Sequence, residues 1–503
     1  MYERMKAQQA AAAAAANAGS SLAAASAPST SGPPPLDLKL RSVVPPKDPV
    51  VILFGSTNYV EMGKKPGLQD VKVTPNLTGP HRLLSGFGAV RVTFLATGGM
   101  SAHVLALGAG GEAFSWGRND TGQLGHGDTT TRYAPARVTL LQGQKIVKAS
   151  TGKAHSVFLD ADGTLLACGS CKQGAVGNGV KKMEQQPKPT ALVPPSGTTF
   201  THVASGASFN LAIDGEGDVW SWGWSEFGVL GHNSDGEWNT KEGSVKLSYS
   251  AEPAPQRIAA LGGKGCIDVA CGQAHCAAVA KDGIVYTWGN GGYGRLGHKD
   301  QQDKWVPTPL LEVVRAREVS CGAAHTAAVG WSRLANGSVC SAAAPSLFMW
   351  GKVKGASQNA WMYPMAEEDL RGWSLKHFAC GNTHNVAAAD SSVISWGSAC
   401  LSGELGFGEG GKKSSARPDK VSALEGAAVA QIACGVANSL LLVERSAAVD
   451  ALPEWAPLAA LEEAADEDDD DEAAAPKAKG KAAAGKGKRV AAEAEPKPKK
   501  SKK

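Results

Sequence analysis

Between residues 48 and 445 the apolar residues come in short runs, each set off by a glycine-bearing step, and the runs recur. One recurring step is a pair of small residues, then histidine or a substitute, then an apolar run. It reads TGGMSAHVLAL at 97–107, TGKAHSVFL at 151–159, SGASFNLAI at 205–213 and CGQAHCAAVA at 271–280. It continues as CGAAHTAAV at 321–329, CGNTHNVAAA at 380–389 and CGVANSLLLV at 434–443, seven copies in all. A second step joins an aromatic or apolar run to glycine, as in ILFG, FSWG, LACG, WSWG, YTWG, FMWG and ISWG. These end at Gly55, Gly117, Gly169, Gly223, Gly289, Gly351 and Gly397, so successive copies lie 62, 52, 54, 66, 62 and 46 residues apart.

Turn signals such as Asp162-Gly163 and Asp282-Gly283 stand between the two steps. Asp-Gly between apolar runs marks a β-hairpin. After the second step comes a polar, glycine-rich loop, RNDTGQLGHGD at 118–128, SEFGVLGHNSD at 225–235, NGGYGRLGHKD at 290–300 and SGELGFGEG at 402–410. A four-stranded unit fits this spacing, and periods of this length signal a repeat architecture. The phase of the steps adds closure. Phe54-Gly55 has no first step before it, and Cys434-Gly435 has no second step after it. The two halves complete one another if a strand near Val51–Phe54 pairs with one near Leu440–Val443. The expectation is an all-β, seven-bladed β-propeller closed by its N-terminal strand pairing with the C-terminal blade, which removes the exposed edge that each half-unit would otherwise present.

Composition places the ordered part. Of 61 glycines, 56 fall in 48–445, where they set backbone geometry rather than dilute a core, and 13 tryptophans supply bulk to bury. Three regions follow: an Ala/Ser/Pro-rich arm at 1–47, a propeller at 48–445 and a tail at 446–503, both flanks expected to be disordered. The net charge of +4 conceals a bipolar tail: nine of the eleven residues at 462–472 are acidic, and 473–503 carries eleven Lys/Arg against two Glu. Blocks of like charge act as interaction tails. Lys486, Lys488, Arg489, Lys497, Lys499, Lys500, Lys502 and Lys503 are candidates for a nuclear address or for phosphate contacts. No aromatic residue is interleaved there, so base stacking is not indicated. Such a tail suits histones, nucleic acid or microtubules. No apolar run is long enough to span a bilayer. The expected location is nucleus and cytoplasm. A plastid or mitochondrion is the alternative, because the arm is poor in acids; its few basic residues before Arg41, Arg4, Lys6 and Lys39, count against a transit peptide.

The repeated CGxxH and WGxNxxGQLG steps over about 48–445 resemble the family of seven-bladed propellers named after the regulator of chromosome condensation. One unit departs from the pattern: after Gly351 the segment KVKGASQNAWMYP lacks the GQLG turn, and 330–346 inserts a loop before it. The resemblance implies exchange or docking on a small GTPase of the Ras superfamily, by a propeller expected to be monomeric. Exchange needs no bond chemistry, only a rigid wedge, and the insertion from His232 to Pro255 is the candidate wedge. Arg118, Asn119, Asp120, Asp128, Asn233, Asp235, Arg295 and Asp300 in the polar loops are the candidate GTPase interface. A non-enzymatic scaffold, held to chromatin or microtubules by the tail, is the alternative. The family also includes a plant ultraviolet photoreceptor with Trp and Arg between the anchor glycine and histidine. Those slots here hold Lys153-Ala154, Gln273-Ala274, Ala323-Ala324 and Asn382-Thr383, which excludes that chromophore.

Candidate chemistry is otherwise thin. His103, His155, His275, His325 and His384 recur once per unit, so they spread round a ring instead of converging on a metal. They are expected to hydrogen-bond within their own blades, as are His126, His232 and His298. Cys168 and Cys171 form a CxxC without a second pair, which does not make a zinc site, and Cys168 takes the slot that holds Trp elsewhere, so Cys168 reads as core. Trp116, Trp222, Trp288, Trp350 and Trp396 read as blade-core side chains. No nucleophile elbow, phosphate loop or HExxH is present, so no catalytic residue, metal or cofactor is expected.

Overall fold

The two recurring steps open the second strand and close the third strand of a four-stranded antiparallel sheet. The structure, a computed structural model, describes residues 46–62, 74–179, 184–195, 197–239, 247–332, 345–353 and 360–457. In blade 1 the strands are Val92–Ala96, His103–Gly108, Ala113–Gly117 and Arg132–Arg137, hydrogen-bonded in that order. Blades 2 to 6 repeat this over 146–191, 200–257, 266–310, 313–366 and 375–420. Blade 7 takes Val429–Cys434 and Asn438–Glu444 from the end of the chain and Pro49–Ser56 and Asn76–Leu83 from its beginning. The register runs Val50↔Val443, Val51↔Leu442, Ile52↔Leu441 and Leu53↔Leu440, which is the predicted closure.

Chain beyond the expected edge at 445 fastens this blade. A short helix, Ala447–Asp450, follows, and the Arg82 amide and guanidinium donate to Pro453 O and Leu452 O at 2.8 and 2.9 Å. Trp455 packs on the core between blades 7 and 1. The arm through residue 45, the tail from 458 with its acidic and basic blocks, most of the 330–346 insertion (333–344), and 354–359 lie outside the described residues.

Glycine in the second step is required at every blade. At six of the seven copies φ lies between +93° and +113°, and a Cβ there would meet the carbonyl that ends the preceding turn. At Gly117 that atom is Ala102 O at 2.7 Å, at Gly223 it is Ser208 O at 2.5 Å. The ladder to the outer strand shifts register beside this glycine, so the fourth strand is re-aimed in each blade. In the first step the glycine clears room for the histidine that follows: a Cβ on Gly152, Gly272, Gly322 or Gly381 would run into the ring of His155, His275, His325 or His384.

Apolar side chains gather at seven seams, one between each pair of neighbouring blades. The five anchor tryptophans are fully buried and fill the seam with the preceding blade, with Cys168 and Phe54 in the two remaining slots. They therefore glue blades together more than they fill one blade. Cys168 is a buried core residue, as expected, and Cys171 is buried as well.

The ring histidines require a correction. Each reaches into the next blade, not only its own. His103 Nε2 lies 2.8 Å from Ser156 Oγ, His155 from Asn210 Oδ1 at 2.8 Å, and His275 from Thr326 Oγ1 at 2.9 Å. His325 meets Asn385 Oδ1 at 2.9 Å and His384 meets Ser439 Oγ at 3.0 Å. The hydroxyls of Ser156, Thr326 and Ser439 spend their own protons on Gln123 O, Arg295 O and Glu404 O in the previous blade's polar loop. The imidazoles must therefore donate from Nε2, and five of the seven seams are stitched by a buried histidine bond. Own-blade bonding holds for the other set: His126, His232 and His298 meet Ser115, Ser221 and Thr287 at 2.9 Å. Where Phe209 replaces the ring histidine, Cys276 replaces the hydroxyl and its thiol donates to Val229 O at 3.3 Å. At the closing seam, between Asn438 and Val104, the side-chain amide of Gln431 instead pairs with both backbone groups of Leu95 at 2.8 Å.

Candidate functional site

In a four-stranded meander the turn after strand one and the loop after strand three emerge at the same end. All seven first-step turns and all the polar glycine-rich loops therefore share one face of the ring. Around the channel the turns hold hands through backbone bonds, Lys153 N to Ala207 O, Ala323 N to Asn382 O, Asn382 N to Gly435 O and Val436 N to Ser101 O, at 3.1–3.2 Å. Inside lies a cavity of about 240 Å³ walled by the innermost strands, with Cys271, Cys321, Cys380 and Cys434 on its wall. Burial pushes the Cys434 thiol up to about 12, so it is inert at neutral pH. Among the described residues no group of His, Cys, Asp and Glu could hold a metal, and no helix is long and apolar enough to cross a membrane.

Among the described residues one element leaves this face. Within the predicted insertion, Glu237–Asn239 and Leu247–Tyr249 form a two-stranded ribbon whose strands pair only with each other. Its base is fixed to blade 3. Ser225 Oγ bonds Asp235 O and Ser250 O at 2.8 and 2.6 Å, and Tyr249 meets Trp224 edge-on with ring centres 5.9 Å apart. Burial, then the carboxylates of Glu226, Glu237, Asp235 and Asp303, raises the Tyr249 pKa, so the base of the ribbon is acidic. Trp238 pairs with Ser248, one residue out of step with the Glu237–Tyr249 pair, and so faces the other way; it is 50% exposed.

The predicted interface residues divide by what they touch. Arg118 is spent on the carbonyls of Tyr59, Val60 and Met62, at 3.2, 2.7 and 2.6 Å. Asn119 is buried and pins its loop through Asp128, Thr130 and Leu124. Asp128 forms a two-pronged pair with Arg132 at 3.0 and 2.8 Å, which with local hydrogen bonds lowers its pKa to about 2. Asp300 pairs with Lys304 at 3.0 Å. Asp120 accepts from Gln123, and Asn233, at φ 61°, donates its amide to Trp305 O. Asp235 caps the start of the ribbon by accepting from Glu237 N at 3.1 Å. Arg295 is buried beneath blade 4's loop, and burial lowers its pKa. Asp120 and Asn233 are the exposed members of the set. The structure draws Asn233 and Asp235 together at the ribbon and spreads the rest over blades 1 and 4. The lysines and Arg489 of the tail lie outside the described residues.

Sequence reading missed the aromatic side of this face. Phe227 and Tyr293 occupy the same loop position in blades 3 and 4, one residue before glycine, at φ 63° and 60°. Bulky residues in the left-handed region are strained, and such strain gathers at functional sites. Aligning the loops residue by residue would have exposed both as aromatic occupants of a slot that holds Thr121 in blade 1 and Gln173 in blade 2.

Comparison with known proteins agrees with this architecture. The model of the RCC1-like domain matches residues 50–441. Protein RCC2 of Mus musculus is 36% identical over 432 residues, 81% of this chain and 80% of the relative. The ultraviolet-B receptor UVR8 of Arabidopsis thaliana is 30% identical over 353 residues, 69% of this chain and 74% of that one. Among solved structures, Prp20p of Saccharomyces cerevisiae superposes with a TM-score of 0.62 at 22% identity, over 85% of this chain and 96% of the other. With seven stitched blades, a strand exchange between the termini and a family model spanning nearly the whole ring, the chain belongs to the RCC1-like domain family.

Proposed function

We propose that this propeller regulates a small GTPase, as an exchange or docking factor, through the face that carries the ribbon. The observation that carries the reading is the ribbon itself, a two-stranded projection whose base is fixed to blade 3. A wedge of this kind works by differential binding: it stabilises the nucleotide-free GTPase and need not touch a reacting bond. Family membership supports the reading, and Prp20p is described with binding properties to Gsp1p and histones. The exposed polar residues Asp120 and Asn233, the half-buried Asp235 and the exposed Trp238 would meet the partner. The test is release of labelled GDP from Ran-, Rac- and Ral-like GTPases with the full chain and with Trp238→Ala. Acceleration or stable binding by one GTPase, reduced at least tenfold by the substitution with unchanged melting, is the expected outcome. No binding and no acceleration across the three would sink it.

The charged tail favours a second, compatible role as a scaffold in cell-cycle or chromosome-associated processes, with histones, nucleic acid or microtubules held by 473–503 and a location in nucleus and cytoplasm. Deleting 462–503 tests it. Chromosome association that persists without the tail rules the tether out, and a mature N-terminus near residue 40 would point to an organelle instead.

A further inference from the structure

At the junction of blades 4 and 5, on the ribbon face, two cations share one aromatic ring and lack a carboxylate. Arg295 is only 7% exposed. Its Nε donates to Gly292 O at 2.8 Å and its Nη1 only weakly to Ala323 O, at 3.4 Å. Its Cζ stands 5.8 Å from the centre of the Tyr293 ring, and Lys352 Nζ stands 5.4 Å from the same centre. Among the described residues neither cation forms an ion pair. The nearest carboxylate influence is Asp303, whose Oδ1 is held by Gly291 N at 2.8 Å. His275 and His325, which also feel Arg295, are buried and held neutral. A buried guanidinium without a counter-charge is costly, and the loop's left-handed turn, shared with Gln173 and Phe227 in blades 2 and 3, places the Tyr293 ring beside both cations.

The repeat shows that the fold does not need these side chains. The slot of Arg295 holds Gln123 in blade 1, Ala175 in blade 2, Val229 in blade 3 and Glu404 in blade 6. Gln123 in that slot is satisfied within its own loop by Thr121 and Asp120. The slot of Lys352 holds Arg118 in blade 1, and the donors of that cation are satisfied by three carbonyls. Elsewhere in the ring the Arg295 slot holds an uncharged side chain or, at Glu404, a carboxyl that burial raises to about 7, and at the junction of blades 4 and 5 two cations meet with no ion pair among the described residues.

We propose that Arg295 and Lys352, which both stand over the ring of Tyr293, form an anion-recognising site that takes a phosphate group. Two positive charges match a dianionic phosphate, and a guanidinium presents paired donors to it. The group is either borne on a phosphorylated side chain of a protein docked on this face or is free phosphate. The site does not depend on which protein the ribbon engages.

Titration calorimetry on the full chain, at constant ionic strength, tests this with inorganic phosphate, a short phosphoserine peptide and its unphosphorylated twin. Arg295→Gln copies blade 1's solution and Lys352→Gln removes the more accessible charge. Lys153→Gln, an exposed lysine of blade 2's turn, is the control. Wild type and Lys153→Gln should bind phosphate alike, and either site substitution should weaken binding about tenfold with unchanged melting. If Arg295→Gln does not fold, Lys352→Gln decides alone. Phosphopeptide bound at least tenfold tighter than inorganic phosphate assigns the group to a docked protein, and equal affinity assigns it to free phosphate. Equal phosphate affinity in wild type and the site variants, which would locate binding in the basic tail, overturns the proposal. So does equal affinity for the two peptides.

Discussion

His155→Phe is the sharpest test of the relay between blades. His155 is wholly buried, and burial lowers its pKa to about 4 although Asn210 pulls the other way. A histidine exposed in the unfolded chain titrates near 6.5. The unfolded chain therefore takes up the proton first as pH falls. The stability held by the neutral ring is intact above about pH 6.5 and drains as pH approaches the folded value near 4. At pH 5 the unfolded state is ahead by about 1.5 pH units, worth about 2 kcal/mol for this one ring. The geometry gives the reason. Nε2 already donates to Asn210, so an added proton must sit on Nδ1, deep in the turn, and at His275 and His384 that atom has no hydrogen-bond partner among the described residues.

Phenylalanine is the informative replacement because blade 3 already carries Phe209 in this slot. Asn210 is not orphaned by the change, since it still accepts from Ser205 Oγ at 2.7 Å and donates to Ala175 O at 2.8 Å. At pH 7 the substitution should cost about 1–2 kcal/mol, a lost buried hydrogen bond. Urea unfolding followed by tryptophan fluorescence at pH 7 and pH 5 should then show wild type losing about 2 kcal/mol more than the variant between the two pH values. The other ring histidines contribute equally to both proteins and cancel. Slopes that agree within about 0.5 kcal/mol would mean that His155 is protonated inside the fold or already exposed, and the relay would not be a source of acid lability.

Further outcomes follow from the same geometry. Glu404 is buried, and desolvation lifts its carboxyl to about 7. With the folded value above the unfolded one, wild type loses stability as pH rises from about 4.5 to 7, so Glu404→Gln should gain about 2–3 kcal/mol at pH 8 and nothing below pH 4.5 in urea melts. Gln431→Ala should cost about 2 kcal/mol by removing both bonds to Leu95, with hydrogen exchange at the Leu95 amide accelerated. Gly223→Ala, at φ 111° and with Ser208 O 2.5 Å from the new Cβ, should cost on the order of 3 kcal/mol or more, read as a drop in melting temperature.

The fold was legible because the repeat writes the same physical demand seven times. A glycine at positive φ beside a carbonyl, and a glycine that clears a histidine, are needed once per blade, so Gly117 and Gly272 announce themselves by recurrence. The closure was legible from phase alone, since Phe54 and Cys434 are halves of one unit. What recurrence does not state is direction. Whether His155 turns to its own blade or the next depends on where Asn210, 55 residues away, places its carbonyl. The tryptophans have the same ambiguity: Trp222 reads as apolar bulk, yet its Nε1 donates to Ala175 O across the seam at 3.2 Å. The ribbon was legible as length and charge, but its pairing follows from Glu237 and Tyr249 meeting across a gap that the repeat pattern does not cover.

The candidate interface fared differently, and the reason lies in how the loops are built. Polar residues that recur in a turn are there to close it: Asn119 fastens Asp128 and Thr130, and Asp300 fastens Lys304. Recurrence therefore marks structure, and surface chemistry is carried by what breaks it. Tyr293 breaks it by standing beneath two cations in a slot that holds Thr121 and Gln173 elsewhere, Arg295 by putting a cation where Ala175 and Val229 suffice, and Lys352 by carrying an ammonium with no ion pair among the described residues in a slot whose blade 1 cation is tied to three carbonyls. The ribbon breaks it by adding strands to a connection that among the described residues has no other strands of its own. These departures fall on blades 3, 4 and 5 and on one face, whereas the intact repeat runs evenly round the ring. A partner that read the repeat would meet a nearly symmetric ring and have no preferred register; one that reads the departures has a single orientation in which to dock.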